Sequence, residues 1–131
     1  GNGLLVAQLP AVAALQLNEL NGARRARLAD TFPAATITGH DGAAIASTLG
    51  AKARPSLILM NPPFSRSLGR GADHLAAVRH LAAAITHLRA GGRIVAIMPD
   101  WFSRSGKMRD IFENTLKPVT VRNSIRLEQA Y

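Results

Sequence analysis

Short apolar runs rich in Val, Ile and Leu recur along the chain, and segments with helical periodicity separate them. Apolar runs of this length, bounded by polar or turn residues, predict β-strands. The runs are residues 13–17, 35–38, 56–60, 93–98 and 119–127. Strands that alternate with helices predict parallel βαβ units, and therefore an α/β fold with a doubly wound, mostly parallel sheet covered on both faces.

The segments between these runs predict helices. The clearest is 72–90, which ends at the stop signal Gly91-Gly92. Its apolar residues form one stripe, made of Leu75, Val78, Leu81, Ile85 and Leu88. Other helices are predicted at 4–9, at 22–32, briefly after Asp41, and at 107–116, and prolines end three of these.

Polar residues cluster where the predicted strands end. The strand 57–60 is apolar throughout, which favours a central position in the sheet. In open α/β sheets, ligands bind beyond the carboxyl ends of the strands. The segments predicted at this edge are Gly1-Asn2-Gly3, Asn18-Glu19, His40-Asp41, Asn61-Pro62-Pro63-Phe64 and Pro99-Asp100-Trp101.

Composition narrows the class of protein. With 131 residues the chain is one domain's worth of sequence, and it contains no cysteine, so disulfides and thiolate metal sites are excluded. No apolar run approaches the roughly 20 residues of a membrane span, so a soluble, cytoplasmic protein is expected. His80 and His87 are seven residues apart, a poor spacing for metal ligation, and no metal site is predicted.

The charge balance favours a polyanionic partner. Sixteen Lys and Arg against eight Asp and Glu give a net charge of +8. Basic side chains in or just after loops of the ligand edge are candidates for phosphate contacts: Arg66, Arg70, Arg104, Lys107 and Arg109. A solvated basic rim is the alternative, and it is favoured for the helix-flank residues Arg24, Arg25 and Arg27.

The segment Asn61-Pro62-Pro63-Phe64 carries the most specific chemical signal. Consecutive prolines hold a loop rigid and leave carbonyl oxygens free. An amino group in this loop could donate to the Asn61 side-chain oxygen and the Pro62 carbonyl, which would free its lone pair for attack. Phe64 could stack on the ring that bears the amine. The alternative is a turn with a buried Phe64. A second aromatic segment, Trp101-Phe102, predicts either a wall of the pocket that holds the target base or core packing.

Two carboxylates are predicted at successive strand ends. Glu19 could accept hydrogen bonds from a ribose diol, and Asp41 could accept one from an adenine amino group. Separately, each is better explained as a helix N-cap or a solvated loop residue. Together they predict a nucleoside pocket. The glycines of Gly1-Asn2-Gly3 would let the backbone approach the ligand closely.

This ordered set resembles the class I S-adenosylmethionine-dependent methyltransferases, specifically the amino-methyltransferases with an Asp/Asn/Ser-Pro-Pro-Tyr/Phe motif. The resemblance implies a Rossmann-like core that uses S-adenosyl-L-methionine. Gly1, Asn2, Gly3, Glu19 and Asp41 would bind the cofactor, and Asn61, Pro62, Pro63 and Phe64 would be catalytic. It also implies one partial domain, truncated at both ends, with a cofactor half at about 1–54 and a catalytic half at about 55–131.

The order of the two halves resembles the adenine N6 DNA methyltransferases. The contexts 59–65 and 124–128 resemble methylase domains fused to strawberry-notch-type helicases of bacterial plasmids and phages. The expected partners are DNA and a fused or associated helicase. Three alternatives stay open: methylation of guanine N2 in RNA, methylation of a protein glutamine amide, and a non-catalytic domain that binds nucleic acid or a helicase.

Overall fold

The computed structural model of the chain describes residues 3–10, 14–49, 54–64, 66–67, 71–103 and 106–127. Its strands are β1 (Gln16–Asn18), β2 (Thr36–Thr38), β3 (Leu57–Met60), β4 (Arg66–Ser67), β5 (Gly71–Ala72) and β6 (Arg93–Ala96). Its α-helices are α1 (Gly22–Thr31), α2 (Ile45–Leu49), α3 (Ala76–His87) and α4 (Lys107–Leu116). Two 3₁₀ helices, Gly42–Ala44 and Asp100–Ser103, follow β2 and β6.

The longer strands form two parallel pairs. β1 pairs with β2 in the register Gln16 to Thr36, and β3 pairs with β6 in the register Leu57 to Arg93. α1 connects the first pair, and the connection within the second includes α3. The predicted mixture of helices with parallel strands is therefore confirmed. β4 and β5 add a short antiparallel hairpin that the sequence pattern did not predict.

One face of the β3–β6 pair is partly exposed within the described part of the chain. Exposure alternates along β6, with Ile94 and Ala96 partly buried while Arg93 and Val95 are exposed. Val95 is 60% exposed and Leu57, on the paired strand, is 41% exposed. Among the described residues β3 pairs only with β6, and the cover of helices on both faces of the sheet stays a prediction.

The core lies between the first half of α3 and the chain that follows β6. Ala77, Val78 and Phe102 are buried there. Partly buried side chains complete the cluster: Leu75, Met98, Trp101, Met108, Ile111 and Phe112. The predicted stripe on α3 is confirmed, since Val78 and Leu81 are both 4% exposed. The 3₁₀ helix Gly42–Ala44 and α2 also pack against α3.

Several predicted boundaries are wrong. Residues 4–9 form turns rather than a helix, because Pro10 leaves too few residues to sustain one. Helix α3 begins at Ala76, not at 72, because Gly71–Ala72 pairs as β5 and the Asp73 side chain accepts from Leu75 N. Residues 121–127 are exposed and have no strand pairing, although their apolar pattern predicted a strand.

Candidate functional site

The Asn61-Pro62-Pro63-Phe64 loop leaves the carboxyl end of β3, as predicted. Ile97 N donates to Met60 O at 3.0 Å, so the β3–β6 pairing continues up to the loop. Pro62 is buried, whereas Asn61 and Pro63 are exposed. Phe64 is 40% exposed, so the alternative of a turn that buries this ring is wrong. The loop therefore has a buried proline at its base and presents an amide and an aromatic ring at the surface.

An aromatic stack follows the neighbouring strand end. The ring centroids of Trp101 and Phe102 are 4.0 Å apart, and those of Phe102 and Phe112 are 5.7 Å apart. Phe102 is only 1% exposed and belongs to the core, as one of the two alternatives predicted. Trp101 is partly buried and meets His74 edge to face at 6.2 Å. The Trp101 ring thus lies between the buried Phe102 ring and the exposed His74 ring, beyond the end of β6.

Glu19 lies at the end of β1 and is buried. Its backbone N–H donates to Thr38 O at 3.0 Å, which joins it to the end of β2. Its Oε1 accepts from Asn21 N at 2.8 Å, and the residue is 8% exposed. The carboxylate is therefore engaged by the turn that starts α1, and it is neither a solvated loop residue nor the N-cap itself, which is Asn21.

Asp41 is the N-cap of the 3₁₀ helix that follows β2, the alternative role that its position predicted. Its Oδ1 accepts from Ala43 N at 2.9 Å, while the side chain stays 38% exposed. The same oxygen lies 3.7 Å from His80 Nε2 on α3. Burial lowers the pKa of His80, the Asp41 charge opposes this shift, and the Arg79 charge adds to it. His80 is therefore mainly neutral beside Asp41 at neutral pH.

Asn18 is a polar residue of this edge for which no motif predicted a role. Its Nδ2 donates to His40 O at 2.9 Å, and its Oδ1 accepts from His40 N at 3.0 Å. The Thr38 hydroxyl also donates to Asn18 Oδ1 at 2.9 Å. One side chain at the end of β1 therefore holds the chain that leaves β2. Only its place at a strand end could have signalled this role.

Arg25 contacts the same edge, and its prediction as a solvated residue is wrong. Its NH1 group donates to Glu19 O at 3.1 Å and to Leu20 O at 2.9 Å. The guanidinium lies over Gly39, where a Cβ atom would come within 2.7 Å of NH1. Arg25 thus lies between the chain leaving β1 and the chain leaving β2.

Gly3 was predicted to let a ligand approach, but its own close contacts are with side chains of helix α1 and its C-cap. Its φ is +81°, and a Cβ atom there would lie 2.6 Å from Phe32 Cε2 and 3.1 Å from Leu28 Cδ2. The glycine is therefore needed for packing against α1. Gly1 and Asn2, the other predicted members of this loop, lie outside the described residues.

The predicted phosphate contacts divide into described and undescribed residues. Lys107 is exposed at the first residue of α4. Arg109 Nε donates to Glu113 Oε1 at 2.6 Å, so its charge is paired within α4. Arg66 lies in β4, where only the backbone is described, and Arg70 and Arg104 lie outside the described residues.

The described part of the chain contains neither a metal-binding group nor a membrane-spanning helix. No group of three or more His, Asp or Glu side chains there is arranged to hold a metal ion. No helix within it combines the length and apolarity needed to cross a bilayer.

Comparison with known proteins gives no match: no protein-family model, curated protein or solved structure is detectably similar to the chain. The functional assignment therefore depends on the residues and on their arrangement.

Proposed function

We propose that this chain is the catalytic core of an S-adenosylmethionine-dependent methyltransferase that acts on the N6 amino group of adenine in DNA. The observation that carries the proposal is the loop after β3, in which buried Pro62 supports exposed Asn61 and Phe64. A strand-to-loop junction of this kind presents an amide oxygen, proline carbonyls and a ring at the ligand edge of a parallel sheet.

The chemistry follows from those three groups. S-adenosylmethionine would supply a methyl group on a sulfonium sulfur. The Asn61 side-chain oxygen and the Pro62 carbonyl would each accept a hydrogen bond from the adenine amino group, and Phe64 would stack on its ring. The amine nitrogen forms the new bond to the methyl carbon while the carbon–sulfur bond breaks, and S-adenosylhomocysteine leaves. The methylated amine then loses its extra proton to water, so no general base is needed before attack.

The residues at the β1–β2 edge are suited to the nucleoside of this cofactor. Glu19 and Asp41 follow adjacent parallel strands, as ribose and adenine contacts would. The Asp41 carboxylate is 38% exposed and caps a helix through one oxygen, so a ligand can reach it. Glu19 is more deeply buried, and a ribose would have to bind beside its hydrogen bond to Asn21 N.

The strand pairs support a doubly wound, Rossmann-like arrangement. In the strand order 3-2-1-4-5-6, strands 2 and 3 pair, and strands 4 and 5 pair, on either side of strand 1. β1 with β2 and β3 with β6 are parallel and have the connections expected of those two pairs. The proposal divides the chain into a cofactor half at about 1–54 and a catalytic half at about 55–131.

The net charge of +8 supports a nucleic acid substrate over a protein side chain. Within the described residues, exposed Lys107 supports a phosphate contact near the end of β6. An adenine in duplex DNA would have to leave the stack, at a cost of roughly a few kcal/mol that stacking on Phe64 would help offset. A fused or associated helicase, which separates strands, is the partner that we propose.

The test is to supply tritiated S-adenosylmethionine to the full-length protein with unmethylated plasmid DNA, total RNA and protein extract in separate reactions. We expect label in DNA that digestion recovers as N6-methyladenosine. Label in RNA as N2-methylguanosine, or in protein as methylglutamine, would reassign the substrate. Absence of both transfer and cofactor binding would favour a non-catalytic domain that binds nucleic acid or a helicase.

A further inference from the structure

We infer that Asn18 and Arg25 are positioning residues that hold the ends of β1 and β2 in the arrangement that binds the nucleoside of S-adenosylmethionine. The inference rests on the proposed function. It adds two residues that no motif predicted, and it assigns them a role in cofactor affinity.

Asn18 fixes the path of the chain toward Asp41. Both polar groups of the His40 backbone, its N–H and its carbonyl, are bonded to the Asn18 side chain, at 3.0 Å and 2.9 Å. The Thr38 hydroxyl adds a third bond to the Asn18 side chain, which Oδ1 accepts at 2.9 Å. Because Asp41 follows His40 directly, these bonds determine where its backbone leaves β2.

Arg25 fixes the chain that carries Glu19. Its NH1 group donates to two successive carbonyl oxygens, those of Glu19 and Leu20, at 3.1 Å and 2.9 Å. The Glu19 N–H is meanwhile bonded to Thr38 O at 3.0 Å. Both backbone polar groups of Glu19 are therefore held, one by β2 and the other by Arg25.

The two side chains hold one arrangement jointly. The Arg25 guanidinium packs over Gly39, the residue between Thr38 and His40, which both bond to Asn18. A Cβ atom at position 39 would lie 2.7 Å from Arg25 NH1 and 2.9 Å from its Cζ. A side chain at position 39 would therefore displace the guanidinium from its place over the chain leaving β2.

The location of these bonds favours a binding role over a purely stabilising one. Asn18 is exposed and Arg25 is only partly buried, so neither is a large contributor to the core. Their hydrogen bonds fix the spacing between Glu19 and Asp41, the two carboxylates that follow adjacent strands. A pre-organised edge binds its ligand more tightly because less ordering is left to occur on binding.

The experiment measures S-adenosylmethionine affinity of the full-length protein by calorimetry for wild type, Asn18→Ala and Arg25→Lys. Loss of these hydrogen bonds should weaken binding by about tenfold in each variant. Arg27→Lys is the matched control, since Arg27 is exposed on the same helix, and it should bind like wild type. In methylation assays the KM for the cofactor should rise, while kcat at saturating cofactor stays within about twofold of wild type.

Two more variants keep the test decisive if Asn18→Ala fails to fold. Asn18→Asp keeps the acceptor for His40 N and Thr38 but loses the donor to His40 O, and Gly39→Ala displaces the guanidinium while leaving Arg25 in the sequence. Both should also weaken cofactor binding. Wild-type affinity in folded variants would overturn the inference alone, whereas a wild-type protein that does not bind the cofactor would overturn the proposed function with it.

Discussion

Gly42 and His80 share a confined space between the 3₁₀ helix after β2 and the middle of α3. A Cβ atom on Gly42 would lie 2.6 Å from His80 Nδ1 and 2.9 Å from Cε1. His80 is itself held close to Asp41, which caps that 3₁₀ helix. The packing of α3 against the Asp41 loop therefore depends on a residue without a side chain.

The first prediction is that Gly42→Ala destabilises the protein by about 1–3 kcal/mol, because the added methyl must displace the His80 ring. Urea denaturation measures the change. Gly22→Ala is the control, since a Cβ atom there meets only Arg25 NH2 at 3.8 Å and alanine is a good helix former. Equal unfolding free energies for Gly42→Ala and wild type would show that the space is not confined.

Residues whose role follows from their own chemistry were predictable, and those whose role depends on a distant partner were not. Asn61-Pro62-Pro63-Phe64 was expected to follow an apolar strand and does so, because the apolar run and the prolines are local signals. The contacts of Asn18 with His40 and of Arg25 with Gly39 span different elements. Nothing local distinguishes Arg25 from its exposed neighbour Arg24.

Helix α1 begins at a side-chain cap and has little apolar packing to hold it. The Asn21 side chain accepts from Arg24 N at 3.0 Å, and Leu28 is the one buried residue of the helix. Helices of this length are marginal in isolation. The cap should therefore contribute measurably to stability.

The second prediction is that Asn21→Ala lowers the unfolding free energy by about 1 kcal/mol, because the Arg24 N–H loses its acceptor. Asn21→Ser supplies another capping oxygen and should recover most of the loss. Thermal and urea unfolding of both variants are the measurements. If alanine and serine gave the same stability as asparagine, the cap would have no energetic role.

The third prediction concerns pH and helix α3, which carries His80 and His87. Burial is the main reason that the pKa of each lies below 6.5; Arg79 adds to the shift at His80 while Asp41 opposes it, and Arg54 adds to the shift at His87. As pH falls below 6.5, the unfolded chain binds more protons than the folded one. The folding stability that is present above pH 6.5 is therefore lost as pH falls toward the pKa values of the folded state.

Urea unfolding at pH 7.5 and pH 5 tests this linkage, with conditions spanning the ordinary histidine pKa of about 6.5. We expect lower stability at the acid pH, and a smaller pH effect in a His80→Gln, His87→Gln double variant. His74→Gln, at an exposed histidine, is the control. A double variant with the wild-type pH dependence would contradict the assignment.

Elements were predictable where their signal is local. α4 spans Lys107–Leu116, as the pattern predicted, and α1 ends within one residue of the predicted end. Strands were less predictable because pairing needs a partner elsewhere in the chain. Residues 119–127 have a strand-like apolar pattern without pairing, and β3 is apolar throughout although its first residue, Leu57, is exposed.

At the scale of the whole molecule, one buried ring connects α3, α4 and the chain beyond β6. Phe102 is 1% exposed, contacts Ala77 and Val78 in the core, and stacks with Trp101 and Phe112. The segment that follows β6 is thereby fixed to the helices. Phe102 is the largest of the three buried side chains in this cluster.

The fourth prediction is that Phe102→Ala costs about 3–5 kcal/mol, a large part of the roughly 5–15 kcal/mol that stabilises a typical domain. Loss of cooperative unfolding, or a strongly lowered midpoint, is expected in urea or thermal denaturation. Val95→Ala is the control, because Val95 is 60% exposed and should change stability little. A Phe102→Ala protein as stable as wild type would place the core elsewhere.

The most direct test of the account is the single-turnover rate of methyl transfer to adenine-containing DNA by the full-length protein, wild type against Asn61→Ala. Asn123→Ala, at an exposed asparagine in the unpaired segment 121–127, is the matched control. We predict that Asn61→Ala slows transfer by about 100-fold or more, while S-adenosylmethionine binding and the control rate are unchanged. Transfer at the wild-type rate by Asn61→Ala, or no transfer to DNA by the wild-type protein, would contradict the account.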